Sequence, residues 1–169
     1  MRKVGIFAFA VGAVSAATLA GAASMHGQDG MHGMEAGHGH RAETAYGRPG
    51  DGAAEARQIE IVLSESDQGM HYSPDHLALD RGTEVRFVLH NEGALEHEFV
   101  IGTAATNEAH AQDMGENPDM AHADPNAARL QPGESTTLSW QFTEPGTFEY
   151  ACLIPGHREA GMYGKIIVK

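Results

Sequence analysis

From residue 57 onward, apolar and polar positions alternate with a period of two, interrupted at short intervals by Gly, Pro, Asn and Asp. QIEIVL (58–63), HLAL (76–79), EVRFVLH (84–90), EHEFVIG (96–102), STTLSWQF (135–142), GTFEYAC (146–152) and GKIIV (164–168) are short and rich in β-branched and aromatic residues. That composition suits half-buried strands. Side chains alternate across a strand, so Val85, Phe87 and Leu89 share one face, as do Thr136, Leu138, Trp140 and Phe142. Gly82, Gly133 and Gly146 stand in DRGT, QPGE and EPGT, where turns are expected. Seven or eight such strands over 57–169 predict an all-β domain, a single antiparallel Greek-key β-sandwich with one core.

Three stretches depart from this pattern. Residues 103–129 are polar and Ala-rich, and 107–114 are expected to form a short helix capped by Thr106 or Asn107. The sandwich therefore carries a partly helical insertion. At the N-terminus, Arg2 and Lys3 precede an apolar run at 4–19 and small residues at 20–24. This is the form of a signal peptide over 1–24, cleaved after Ala22, Ala23 or Ser24, and it predicts a periplasmic protein with no stable membrane insertion after cleavage. A retained anchor is the competing reading, but the run is marginal in length and no basic flank follows it. Residues 25–56 contain no Val, Ile, Leu, Phe or Trp, and Tyr46 is their only aromatic. So little apolar area does not offset chain entropy, and a disordered tail is expected.

Charge narrows the partners. The chain carries a formal −12, and loss of Arg2 and Lys3 with the signal deepens it by two units. Such a surface argues against nucleic acid and anionic lipid and towards a basic protein partner. Plain solubility is an equal reading of the same charge.

The chemistry concentrates in CLIPGHREAGM, where Cys152, His157 and Met162 are evenly spaced. Cys152 is the chain's only cysteine. Outside the cytoplasm an unpaired thiol oxidises unless it is buried or ligated. Thiolate, imidazole and a weak thioether together suit a mononuclear copper site that holds both Cu(I) and Cu(II). Parity orients the cysteine: Phe148, Tyr150 and Cys152 share a strand face, and the aromatics mark it as the core side. His97, Phe99 and Ile101 share a face in the same way. A lone buried histidine is more often a hydrogen-bonded core residue, but this site lacks a second nitrogen donor, and His97 is the best candidate. Pro155, Gly156, Gly161 and Gly164 shape the loop that turns His157 back toward the thiolate. The expected coordination is one thiolate and two imidazoles in a plane, with Met162 at longer axial distance.

Other donors are less specific. Met25, His26, Met31, His32, Met34, His38 and His40 crowd the tail, which either captures copper weakly in both oxidation states or is a Gly-rich spacer. His110, Met114, Met120 and His122 lie in the insertion, either as a secondary copper contact or as incidental surface residues. His71, His76 and His90 have no ligand spacing and read as surface or turn residues. HEF at 97–99 is not a zinc-protease motif, since no second histidine follows at the required spacing.

Over 58–169 the chain resembles the cupredoxins, the type 1 copper proteins. The resemblance rests on His97 in EHEFVIG, the PGTFEY strand and the YACLIPGHREAGMYGKIIVK ending. The ligand-loop spacing is similar to that of rusticyanin. Together with the PDMAHADPNAARLQPGES insertion and the Met/His-rich tail, the whole is more similar to periplasmic cupredoxins of bacterial copper tolerance. The resemblance implies a cupredoxin-like sandwich holding one copper on His97, Cys152, His157 and Met162, with His157 near the surface as the electron port. Many members carry Asn or Ser directly after the first histidine; here that position is Glu98.

The expected function is copper tolerance by sequestering, oxidising or passing on copper, by a protein read as a monomer. The partners are copper ions and a basic redox or copper-transfer protein. The alternative is a dedicated one-electron carrier between respiratory partners. An enzyme needs an open coordination position, which four protein ligands do not leave.

Overall fold

The alternating segments pair into two five-stranded sheets in the computed structural model, which describes residues 44–116 and 124–169. In chain order the strands are β1 (Arg48–Pro49), β2 (Arg57–Ser66), β3 (Gly69–Ser73), β4 (His76–Leu79), β5 (Glu84–Asn91), β6 (His97–Gly102), β7 (Ala127–Leu130), β8 (Ser135–Gln141), β9 (Gly146–Ala151) and β10 (Tyr163–Val168). One helix, α1 (Ala104–Glu116), follows β6. The first sheet runs β1-β8-β5-β2-β3 and the second β4-β10-β9-β6-β7.

Period two is visible in the burial. Ile59, Ile61 and Leu63 of β2, Val85, Phe87 and Leu89 of β5, and Leu138 and Trp140 of β8 turn inward. They share one core with Phe99, Ile101, Phe148, Tyr150, Ile166 and Val168 of the opposite sheet. Each such side chain contributes about 1.5–3 kcal/mol on full burial. β6 is buried along its whole length. Its outer face is covered too: Val100, Ala151 and Leu153 form a second cluster with Ala111 of α1 and Ala127 of β7.

Four expectations need correction. The sandwich is not purely antiparallel, since β2 pairs with β5, and β4 with β10, in parallel. Alternation reports which face is buried and is blind to strand direction. The helix starts at Ala104, and its cap is Thr103. Thr103 Oγ1 accepts the Thr106 N–H at 3.1 Å, and Thr106 Oγ1 accepts the Thr103 N–H at 2.9 Å, a reciprocal cap. The expected insertion 103–129 ends in strand β7, which pairs with β6.

The expected disordered segment 25–56 is ordered over 44–56. Tyr46 stacks on Trp140 with ring centroids 5.7 Å apart, and the Trp140 indole N–H donates to the Tyr46 carbonyl at 3.0 Å. Arg48 and Pro49 pair with Gln141 and Trp140. The segment is poor in apolar residues, but the sandwich supplies the surface it packs on. The predicted signal (1–24), Met25, His26, Met31, His32, Met34, His38, His40, Met120 and His122 lie outside the described residues. No described helix is long and apolar enough to cross a membrane.

Candidate metal centre

His97, Cys152 and His157 converge at one end of the sandwich. One donor atom from each lies within 4.8 Å of the others, and among the described residues this is where three such donors meet. His157 Nδ1 stands 3.3 Å from both Cys152 Sγ and His97 Nδ1. Donors bound about 2.0–2.3 Å from one ion stand roughly 3.5–4 Å apart, so the cluster needs little movement to close on a metal.

Sheet register brings the first two residues together. β6 and β9 pair antiparallel through Val100↔Ala151 and Ile101↔Tyr150. His97 therefore opens β6 where Cys152 leaves β9. The expected inward parity holds: Phe99, Tyr150 and Cys152 share the core cluster, and Phe99 stacks on Tyr150 with centroids 5.0 Å apart. The Glu98 backbone N–H donates to Cys152 Sγ at 3.3 Å. The Tyr72 hydroxyl donates to the Glu98 carbonyl from across the core.

His157 and Met162 come from the hairpin between β9 and β10. The Cys152 N–H donates to the Met162 carbonyl at 3.1 Å, which closes the loop. Inside it, the His157 N–H reaches Ile154 O at 3.0 Å and the Met162 N–H reaches His157 O at 3.1 Å. Gly156 and Gly161 sit at φ of 88° and 102°, conformations that side chains with a Cβ rarely adopt. The Met162 side chain is fully buried in the cluster that contains Cys152.

Two supports were not singled out from the sequence. Glu65, at the end of β2, receives His97 Nε2 at 3.1 Å and the N–H groups of Leu95 and Ala94 at 2.8 and 3.1 Å. The second support is Arg158, beside His157. Its Nε lies 3.2 Å from Glu149 Oε1, and its Nη1 lies 2.9 Å from Glu108 Oε2 on α1. Glu149 is buried, and the Asn107 amide also donates to it at 3.1 Å. Ion pairs between strand, loop and helix leave no mark in local sequence. Glu149 alternates with the inward Phe148 and Tyr150, so its position in the sequence is that of an ordinary solvent-facing residue.

Glu98 turns its side chain away from the thiolate, toward Arg129 at 3.8 Å. Its backbone N–H favours the thiolate, while its carboxylate charge opposes it. Of the secondary candidates, Met114 is buried beneath α1, and His110 lines a small cavity with Glu98 and Arg129. His71, His76 and His90 stay apart from the triad, beside Ser64, Asp75 and Ser135 respectively.

The electrostatics fit a soft cation. Burial pushes the Cys152 thiol up to about 12, and the N–H groups of Glu98 and Ile154 only partly oppose it. A thiolate there needs a metal as counter-charge. Burial lowers His97, with Glu65 opposing, and burial followed by the neighbouring His97 lowers His157. Both imidazoles are therefore biased toward the neutral form that ligates metals. Burial also opposes ionisation of Glu65, but the Leu95 and Ala94 N–H groups and His97 outweigh it and hold its carboxyl below the usual range.

Comparison with known proteins agrees with this chemistry. Residues 59–169 match the family described as copper binding proteins, plastocyanin/azurin family. The chain is 52% identical over 130 residues to the copper-resistant cuproprotein CopI of Rubrivivax gelatinosus, covering 77% of each chain. It is 35% identical to the copper-resistant cuproprotein CopI of Pseudomonas aeruginosa, across 74% of this chain and 83% of that one. Among solved structures, auracyanin B superposes with a TM-score of 0.60 at 26% identity, across 73% of this chain and 96% of that one.

Proposed function

Because this chain belongs to the plastocyanin/azurin family of copper-binding proteins, we propose that it is an exported, periplasmic copper protein of bacterial copper tolerance. The observation that carries this is the convergence of His97, Cys152 and His157 within 4.8 Å at a buried sheet end. Those three residues, together with the buried thioether of Met162, would hold the ion. Copper held there supplies one-electron chemistry between Cu(I) and Cu(II). Cys152 gives up its proton on loading, and its thiolate is held by the Glu98 N–H. His97 anchors the centre to the sheet. His157 is partly exposed, so electrons or copper pass on its side.

The carboxylates of Glu65, Glu159 and Glu96 act on His157. They make this end attractive to cations and to a basic partner protein. The tail donors Met25, His26, Met31, His32, Met34, His38 and His40, with His110, Met120 and His122 of the insertion, are a secondary store for copper in either oxidation state, whereas Met114 is taken up in packing. The protein has no enzymatic turnover of its own. The two relatives named copper-resistant cuproprotein favour this role over that of a respiratory electron carrier.

The test is copper stoichiometry and the visible spectrum of the exported protein, its Cys152→Ser variant and a version lacking 25–43. We expect one strongly coloured Cu(II) site that needs Cys152, and extra colourless copper that needs the tail. Retained colour in Cys152→Ser overturns the site. Equal stoichiometry without the tail, together with unchanged copper sensitivity in a deletion strain, overturns the tolerance role.

A further inference from the structure

We propose that Glu65 is a positioning residue of the metal centre. Its carboxylate fixes the His97 tautomer that presents Nδ1 to the metal and adds a buried-side negative charge that favours Cu(II) over Cu(I). This rests on the copper reading above and extends it to a residue outside the ligand set.

Glu65 continues the inward row of Ile59, Ile61 and Leu63 to the end of β2, so a carboxylate stands where another core residue is expected. Its side chain is one-fifth exposed. Oε1 accepts from the Leu95 N–H at 2.8 Å and faces His97 Nε2 at 3.1 Å, and Oε2 accepts from the Ala94 N–H at 3.1 Å. Room for this carboxylate depends on Gly93, where a Cβ would lie 2.2 Å from Oε2. Asn91 ties the same turn together, accepting the Gly93 N–H at 2.9 Å and donating to Leu95 O at 2.8 Å. The turn is thus folded around the carboxylate.

A carboxylate oxygen only accepts, so Nε2 of His97 must carry the hydrogen, which leaves the lone pair on Nδ1. Nδ1 is the atom that faces His157. A carboxylate behind a ligating imidazole orients the ring and raises its basicity. With the Cys152 thiolate it makes two negative charges around the ion, matching Cu(II) and overcompensating Cu(I). A neutral acceptor in the same place would orient the ring without that preference.

The test compares the copper-loaded protein with its Glu65→Gln variant. The Gln amide oxygen can still accept from His97 Nε2, so orientation survives while the charge is lost. We expect Cu(II) affinity to fall about tenfold more than Cu(I) affinity, which raises the reduction potential by about 59 mV. An unchanged potential, or equal losses in both oxidation states, overturns the charge role. Nitrogen NMR of the copper-free wild type reads the tautomer directly, whether or not the variant folds. Hydrogen on Nε2 supports the positioning role and hydrogen on Nδ1 overturns it. A wild type without Cys152-dependent colour instead sinks the copper reading, and the tautomer measurement still stands.

Discussion

The two imidazoles of the metal centre are held by different kinds of structure. His97 is fully buried at the start of β6, fixed by strand pairing, by Glu65 and by the aromatic core behind it. His157 is partly exposed on a hairpin loop held by its own backbone bonds and, through Arg158, by Glu149 and α1. One half of the centre is part of the hydrophobic core, and the other is clamped to it by polar contacts. On the proposed copper reading, the rigid core side would hold the ligand geometry steady, while the partly exposed loop side would give copper or electrons access.

The sharpest way to break this contrast is to remove each imidazole. His97→Gly and His157→Gly should both lose the coloured Cu(II) site. Added imidazole should restore colour only in His157→Gly, whose gap opens to solvent, whereas the gap left by His97 is sealed. Rescue of both variants, followed by visible absorption, would remove the distinction. Next in size, Phe99→Ala on the core side should destabilise the copper-free protein by about 3–5 kcal/mol in urea unfolding, because Phe99 is fully buried against Tyr150, Tyr72 and Phe87.

A smaller effect is expected on the loop side. Arg158→Ala removes a charged hydrogen-bond partner from buried Glu149 and should cost about 2 kcal/mol. Amide exchange should quicken at 157–161 and stay slow in β6, and uniform acceleration would show that the clamp is not local. Smallest of all, Tyr46→Ala should cost about 1 kcal/mol through its stacking on Trp140. It should leave the copper spectrum unchanged, because it touches neither half of the centre.

Strand parity carried the core side of the site in the sequence. The alternation of Phe148, Tyr150 and Cys152, and of His97, Phe99 and Ile101, set the side of the sheet each residue faces. The loop side was legible through its donor types and its Pro and Gly residues. Glu65 was not, because an acid in a strand ending SES reads as solvent-exposed. Arg158 and Glu149 were hidden for a related reason, since an ion pair that joins strand, loop and helix has no local period. The order of 44–56 was missed because composition measures what a segment can bury by itself, and Tyr46 instead borrows the Trp140 face.

By itself, the sequence determined the period of the strands, the inward direction of Cys152 and the donor types available to a metal, because these follow from alternation and side-chain chemistry. Tertiary structure alone decided the parallel pairing of β2 with β5 and the placing of Glu65 behind His97. It also decided the clamp that ties the ligand loop to α1. Those depend on which distant segments meet, and hydrophobic burial fixes that without recording it in any one stretch of chain.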